Sequence, residues 1–298
     1  MSYHVPVMLR ECLEGLDVKS DGVYVDVTFG GGGHSRAILE RLGEKGKLVA
    51  FDQDTDAAKN VWGDPRLIFI QQNFQHVKRY LKLNNLLPVD GILADLGVSS
   101  YQFDTAERGF STRFNAALDM RMDQESKVTA ATILNTYDAA ELQRVFGEYG
   151  EVRNARTLAN AIVGARTVVP MNTTADLLAI ADPLSMGNVN RYMAQVFQAL
   201  RIEVNNEMEV LEAFLQDAAA CLKPGGRLVV MSYHSLEDRL VKNYIRAGNA
   251  SGEPVRDLFG RSEIPFKAVN KKPIEADAAE LKLNPRSRSA RLRVAAKV

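Results

Sequence analysis

A single stretch limits the folds open to this chain. The β-branched and aromatic run Val23-Tyr24-Val25-Asp26-Val27-Thr28-Phe29 breaks at four consecutive glycines, Gly30 to Gly33. His34 and Ser35 follow, and then a helical pattern with Ala37, Ile38 and Leu42 on one face. The order is strand, glycine turn, helix start. Glycine lets the backbone turn sharply and lets a ligand lie against the main chain. The helix start adds free N–H groups and the positive end of a dipole. Such a crevice, at the carboxyl end of a parallel strand, suits a nucleotide-like ligand. The strict G-x-G-x-x-G spacing is absent, so a tight turn without a ligand stays open at this point.

The pattern repeats downstream. Lys47 to Asp52 reads as a second strand ending in an acid, followed by a helix carrying Ala57, Ala58 and Val61. Arg66 to Ile70 reads as a third strand, and Val89 to Asp95 as a fourth, again closed by an acid. Asp52 follows the glycines at about the interval where dinucleotide folds place the acid for ribose hydroxyls, and a carboxylate can accept from both hydroxyls of a cis-diol. Asp95, with Gly97, Ser99 and Ser100 just beyond, either lines the same crevice or caps its own turn. Asp26, Asp52 and Asp95 thus end strands of one inferred α/β sheet with right-handed crossovers. A helix over Val7 to Leu16 precedes the sheet, and His4 lies in an extended lead-in as a surface or satisfied polar residue.

From Glu107 to Glu203 helical patterns replace strands, at Ala130–Leu134, Ala139–Phe146, Ala155–Val163, Thr174–Ala181 and Tyr192–Ile202. This reads as a helical insertion. Its 10 Lys+Arg against 11 Asp+Glu exclude a uniformly basic domain, although Arg144, Arg153, Arg156 and Arg166 are candidates for one basic face. After an amphipathic helix (Glu207 to Leu222), the turn residues Lys223-Pro224-Gly225-Gly226 precede a strand to Tyr233. Ser235 is a candidate helix cap with Asp238 three residues on. From Leu281 to Val298 there are six Lys/Arg and no acid. Pro285 to Ser289 reads as an exposed loop, and Arg291 to Ala295 alternates as a closing strand.

Charge is balanced over the 298 residues, with 37 basic and 37 acidic side chains, so nucleic acid is not announced globally. Cys12 and Cys221 make neither a metal-site spacing nor a disulfide framework, and no metal is expected. No run reaches a membrane span and no signal-peptide pattern opens the chain, which points to the cytoplasm.

The ordered set Asp26-Val-Thr-Phe-Gly-Gly-Gly-Gly-His-Ser35, Ala50-Phe-Asp52, Ala94-Asp-Leu-Gly97 and Lys223-Pro-Gly-Gly226 resembles the class I S-adenosylmethionine (SAM) methyltransferases. That resemblance implies a Rossmann-like, doubly wound sheet. A closer resemblance is to the bacterial RsmH (MraW) family. It is carried by Asp95-Leu-Gly-Val-Ser-Ser100 with Gln102, Ala106-Glu-Arg-Gly-Phe-Ser111, Leu118-Asp-Met-Arg-Met-Asp123, Gly147-Glu-Tyr-Gly-Glu151, Phe197-Gln-Ala-Leu-Arg-Ile-Glu-Val-Asn205 and Tyr233-His-Ser-Leu-Glu-Asp-Arg239. It runs over nearly the whole chain.

The family resemblance implies methyl transfer from SAM to the exocyclic N4 of a cytidine in 16S ribosomal RNA, within the assembled small (30S) subunit. It implies cofactor binding at Gly32, Gly33, His34, Asp52, Phe74, Asp95 and Gln102. The implied domains are a discontinuous SAM-binding domain, 1–106 with 206–298, and a helical insertion, 107–205, that recognises RNA. Asp95, or a carbonyl in Asp95 to Ser99, is the expected acceptor for the N4–H bonds, His234 is a base, an RNA contact or a structural residue, and Tyr101 offers a ring for base stacking. Helical insertion and basic tail are expected to grip phosphates. A monomer and a homodimer both fit. The alternative is a SAM-dependent enzyme acting on another nucleic acid or on protein. A nicotinamide-dependent oxidoreductase would want the missing glycine spacing, and a non-catalytic RNA-binding module would not need the intact cofactor positions.

Overall fold

A computed structural model describes residues 6–257 and 259–298. His4 lies outside the described residues. The chain forms two compact units, one made of residues 1–97 and 208–298, the other of residues 98–207.

The first unit is built on one sheet. Its strands are β1 (Val23–Asp26), β2 (Lys47–Asp52), β3 (Leu67–Gln71), β4 (Val89–Asp95), β5 (Leu222–Ser232), β6 (Phe266–Ala268), β7 (Ile274–Glu275) and β8 (Arg291–Lys297). The order is β3-β2-β1-β4-β5-β8-β6, with β7 also on β8. The first five in that row run parallel, and β8 enters antiparallel between β5 and β6. Successive side chains of a strand point to opposite faces, and both faces here are covered. Tyr24, Leu48, Leu93 and Val229 pack with α1 (Leu9–Leu16) and α2 (Gly33–Leu39). Val25, Val49, Ile92 and Val230 pack with Val77 and Leu81 of α3 (Val77–Leu83), with Phe214, and with Val241. That double coverage is why the strands read as near-continuous apolar runs.

The order places β2 and β3 on one side of β1 and β4 on the other. The order in which strands are added therefore reverses between β1 and β4, and the crevice of such a sheet opens at that switch, outside the carboxyl ends of the strands. Register sets the acids there: Asp26 lies opposite Ala50, Asp52 opposite Gln71, and Asp95 opposite Met231.

The second unit is helical: α4 (Ser100–Asp104), α5 (Ala130–Thr136), α6 (Ala139–Glu148), α7 (Ala155–Arg166), α8 (Thr174–Ala181) and α9 (Val189–Asn205). Thr129, Asp138, Thr173 and Asn188 each cap a helix start through the side chain. Leu134, Phe146, Leu158, Leu177 and Val196 meet in its own core. The sequence boundary of 106/107 moves to 97/98, because Ser99 caps α4 with Gln102 and Val98 packs on the helical core. The helix α10 (Glu207–Cys221) leads back to the sheet.

Several local expectations change. Ala57–Asn60 is a single 3-10 turn, and so is Pro285–Ser289, where Ser287 is fully buried. Lys223 to Gly226 lies within β5, with the pairing to β4 slipping between Val89 and Gly91 and Gly225 at φ +80°. The helix α11 (Ser235–Ala247) is capped by His234 with Glu237, one residue before the expected Ser235. The short β6, β7 and the helix α12 (Ala278–Leu283) had no sequence signal strong enough to read. Of the four arginines proposed as a basic face, Arg144 is bonded to Glu203 (2.8 Å), and Arg166 donates to the carbonyls of Leu134 (2.7 Å) and Tyr137 (2.6 Å). Arg144, Arg153 and Arg156 are exposed, and of these Arg144 is already committed to Glu203.

Candidate functional site

The glycine loop is sewn into the sheet on both sides. Val27 N–H donates to the Leu93 carbonyl of β4, and Phe29 N–H to the Phe51 carbonyl of β2, each at 2.9 Å. Gly30 N–H donates to Asp52 Oδ2 at 2.7 Å. The Thr28 hydroxyl accepts from Asp95 N–H at 2.7 Å. One loop therefore fixes the acids of both neighbouring strands.

Three of the four glycines show different reasons to be glycine. Gly32 sits at φ +75°, and a Cβ there would meet the Trp62 ring at 2.7 Å and Phe29 at 3.0 Å. Phe29 stacks on Trp62, with Arg36 above the indole at 4.1 Å from its centroid. A Cβ on Gly33 would meet Pro6 Cγ at 2.4 Å. These two serve packing. Gly31 has nothing within 4 Å of the position its Cβ would take. It is the loop residue that faces open space, and the first turn of α2 with its unbonded amides follows it.

Asp52 accepts Gly30 N–H on one oxygen and Asp54 N–H (2.9 Å) on the other. A carboxylate has about four acceptor positions, so each oxygen keeps one. Burial pushes Asp52 up to about 6, the two amide bonds opposing that rise. Phe74 lies partly buried, edge-on to Phe214 at 5.3 Å.

Asp95 is the most constrained group. Its Oδ1 accepts from the Tyr233 hydroxyl at 2.7 Å, and its Oδ2 faces His34 Nδ1 at 3.8 Å. His34 Nε2 is 3.1 Å from the Val7 carbonyl, which can only accept, so Nε2 carries a hydrogen and Nδ1 is the ring nitrogen turned to the acid. Burial raises Asp95 to about 6, and the His34 and Tyr233 partners hold the rise down. Its side chain still keeps 23% of its surface exposed, so the carboxylate is reachable. Burial, and then the Asp95 charge, push the Tyr233 phenol well above its ordinary value, so its hydroxyl remains a donor.

The remaining acid, Asp26, turns inward. It is 1% exposed and spent on the Ser35 hydroxyl (2.7 Å) and the Thr28 amide (3.1 Å). The structure thus brings Gly32, Gly33, His34, Asp52 and Asp95 around one loop. The His34 side chain is a buried support for Asp95. Gln102, in the helical unit, is buried and forms a reciprocal cap with Ser99. His234 caps α11, with Nε2 at 3.2 Å from Glu237 Oε1. Tyr233 was missed from sequence. Its signal was its place two residues beyond Met231, the register partner of Asp95, on the same face of the sheet.

Both cysteines are buried and their thiols are pushed up by burial, Cys221 to about 12 and Cys12 well above its usual value. Neither supplies a nucleophile. The arrangement offers ordered acceptors and backbone donors, suited to positioning a polar electrophile against a weakly nucleophilic N–H group. Among the described residues no helix is long and apolar enough to cross a membrane.

Comparison with known proteins agrees over the full length. The model of the MraW methylase family matches residues 1–298. A ribosomal RNA small subunit methyltransferase H of Bacteroides thetaiotaomicron is 53% identical over 298 residues, covering 100% of this chain and 98% of that protein. The protein of the same name from Flavobacterium johnsoniae is 53% identical over 299 residues, covering 100% and 99%. That of Flavobacterium psychrophilum is 54% identical over 291 residues, covering 97% and 100%.

Proposed function

The chain belongs to the MraW methylase family, and from that premise we propose that it transfers a methyl group from SAM to the exocyclic N4 of a cytidine in small-subunit ribosomal RNA. The observation that carries the chemistry is Asp95: a reachable carboxylate at the switch point, held at one oxygen by Tyr233 and backed by His34.

The residues present fit the cofactor. Asp52 keeps one acceptor on each oxygen, as a ribose diol requires, and Gly31 leaves the main chain open beside it. The Phe74 ring gives an apolar edge for adenine. Bound there, SAM supplies a methyl on a sulfonium, already electrophilic. The protein's own work is to present the amine. Cytosine N4 shares its lone pair with the ring, and an acceptor on its N–H bonds favours the nucleophilic form. The Asp95 oxygen not used by Tyr233, Oδ2, takes that N–H bond. Methylation at N4 releases one N4 proton, and Asp95 is the residue that would receive it. Tyr233 and His34 hold the carboxylate in place throughout.

The helical unit, 98–207, serves as the RNA-recognition domain in this reading, with Gln102 added to the cofactor residues and the 55%-exposed Tyr101 as a stacking surface. The substrate is the assembled small subunit in the cytoplasm, where the target base must be presented unstacked. The test is transfer of labelled methyl to small subunits lacking the modification, followed by nucleoside analysis. N4-methylcytidine in the RNA is the expected product. Label in protein, or at another base, would overturn the reading.

A further inference from the structure

A cavity of about 300 Å³ opens at the start of α11, in the sheet unit. Its walls include Tyr233, His234 and Ser235 from the strand-to-helix turn, Glu275 at the end of β7, and Arg288 and Arg291 flanking the start of β8. Three sequence segments far apart in the chain converge there, and the proposed methyl-transfer chemistry uses only Tyr233.

Its electrostatics are cationic once the pairs are resolved. Asp238, in the first turn of α11, is satisfied by a bidentate bond from Arg293 (2.7 and 3.0 Å). Arg291 stands 3.5 Å from the same acid, which does not need it, and keeps 46% of its side chain exposed. Glu237 accepts from the Tyr233 amide at 2.8 Å and lies against His234. Arg288 has no ion pair among the described residues and points from an exposed position. That leaves two guanidinium groups against one carboxylate, Glu275, beside the positive end of a helix of 13 residues. Guanidinium pairs phosphate oxygens in a planar, bidentate way.

Arg288 is also held in place. Ser287 beneath it is fully buried, with its hydroxyl donating to the Asn284 carbonyl at 2.6 Å, and Ala290 N–H closes the turn on Ser287 at 2.9 Å. The cation therefore sits on a fixed platform, and less ordering is lost on binding. The cavity opens along the same carboxyl edge of the sheet as Asp95, since β4 and β5 are parallel and Tyr233 bonds Asp95.

We propose that this cavity binds one phosphodiester of the RNA strand next to the target cytidine, with Arg288 as the main contact and Arg291 as the second. The inference rests on RNA being the substrate. Its role is to set strand register, so that the base reaching Asp95 is the intended one.

The experiment uses the full chain, with methyl transfer to small subunits measured across a series of salt concentrations for wild type, Arg288→Ala and Arg288→Lys. For Arg288→Ala, KM for subunits rises about tenfold while kcat and SAM affinity hold. The slope of log(kcat/KM) against log salt becomes shallower by about one, as expected for one lost phosphate contact. Arg288→Lys restores the slope. An unchanged KM and salt slope in Arg288→Ala, with wild type active, overturns this proposal alone. Wild type that methylates no RNA overturns the functional reading and this one with it. An equal loss of SAM affinity in Arg288→Ala, the sign of a disturbed fold, also counts against the contact.

Discussion

Asp95→Asn separates stability from chemistry at the same atom pair. The Asp95 carboxyl is pushed up to about 6 from 3.8, chiefly by burial. A carboxyl raised on folding binds more protons in the folded chain than in the unfolded one between pH 4 and 6. Stability from this group therefore falls as pH climbs through that window, and the loss is complete above it. A gap of about two pH units corresponds to about 3 kcal/mol at neutral pH. Asparagine keeps the shape and can still accept from the Tyr233 hydroxyl, but it carries no charge to bury. In urea unfolding of the donor-free protein, the variant should match wild type near pH 4 and exceed it by up to about 3 kcal/mol at pH 8. Asp52, raised to about 6 by the same cause, contributes equally to both chains and cancels. Methyl transfer to small subunits at pH 8 should meanwhile fall by about 10² to 10³, the scale of losing a placed proton acceptor. A stability difference that stays flat with pH would refute the burial argument. Full turnover would refute the role of the carboxylate.

Tyr233→Phe removes a bond that favours the charged form of Asp95; with a hydrogen bond to a charged group worth about 1.5–3 kcal/mol, the acid limb of kcat/KM should move up from near pH 6 by about one to two units. A limb that stays put would mean another group controls it. Asp52→Ala should weaken SAM binding about 10- to 100-fold in calorimetry, the loss of charge-assisted bonds to two hydroxyls, with the melting transition retained. Asp238→Asn strands Arg293, only 9% exposed, without its counter-charge, and should cost about 3–5 kcal/mol in chemical unfolding. An effect under 1 kcal/mol would show that the pair does not tie β8 to α11.

The strand-ending acids were legible because each is a local pattern, an apolar run closed by a carboxylate. Their separate duties were not. Asp26 ends the central strand, whose end is roofed by the loop bonded to Leu93 and Phe51, so its carboxylate is enclosed and spent on Ser35 and Thr28. Asp52 and Asp95 end the two flanking strands, one on each side of that loop, and open outward. The difference depends on strand order, 2-1-4, which no local spacing encodes. The glycine run hides a similar division, since Gly32 and Gly33 yield to Trp62, Phe29 and Pro6, residues set by tertiary packing, while Gly31 faces open space.

The basic tail shows the same limit from the other direction. Its composition suggested an arm for phosphates, and its alternation suggested a strand. Both readings hold for different residues. Leu292 and Val294 are buried where β8 lies between β5 and β6, and Arg293 is consumed by Asp238, so removing the tail would dismantle the sheet rather than free a binding arm. Arg288, five residues earlier on a 3-10 turn, keeps its charge for a partner. Of the neighbouring Arg291 and Arg293, the one that is structural is set by a single acid on α11, Asp238, more than forty residues upstream. A substitution at Arg288 therefore speaks to RNA, and one at Arg293 speaks to folding.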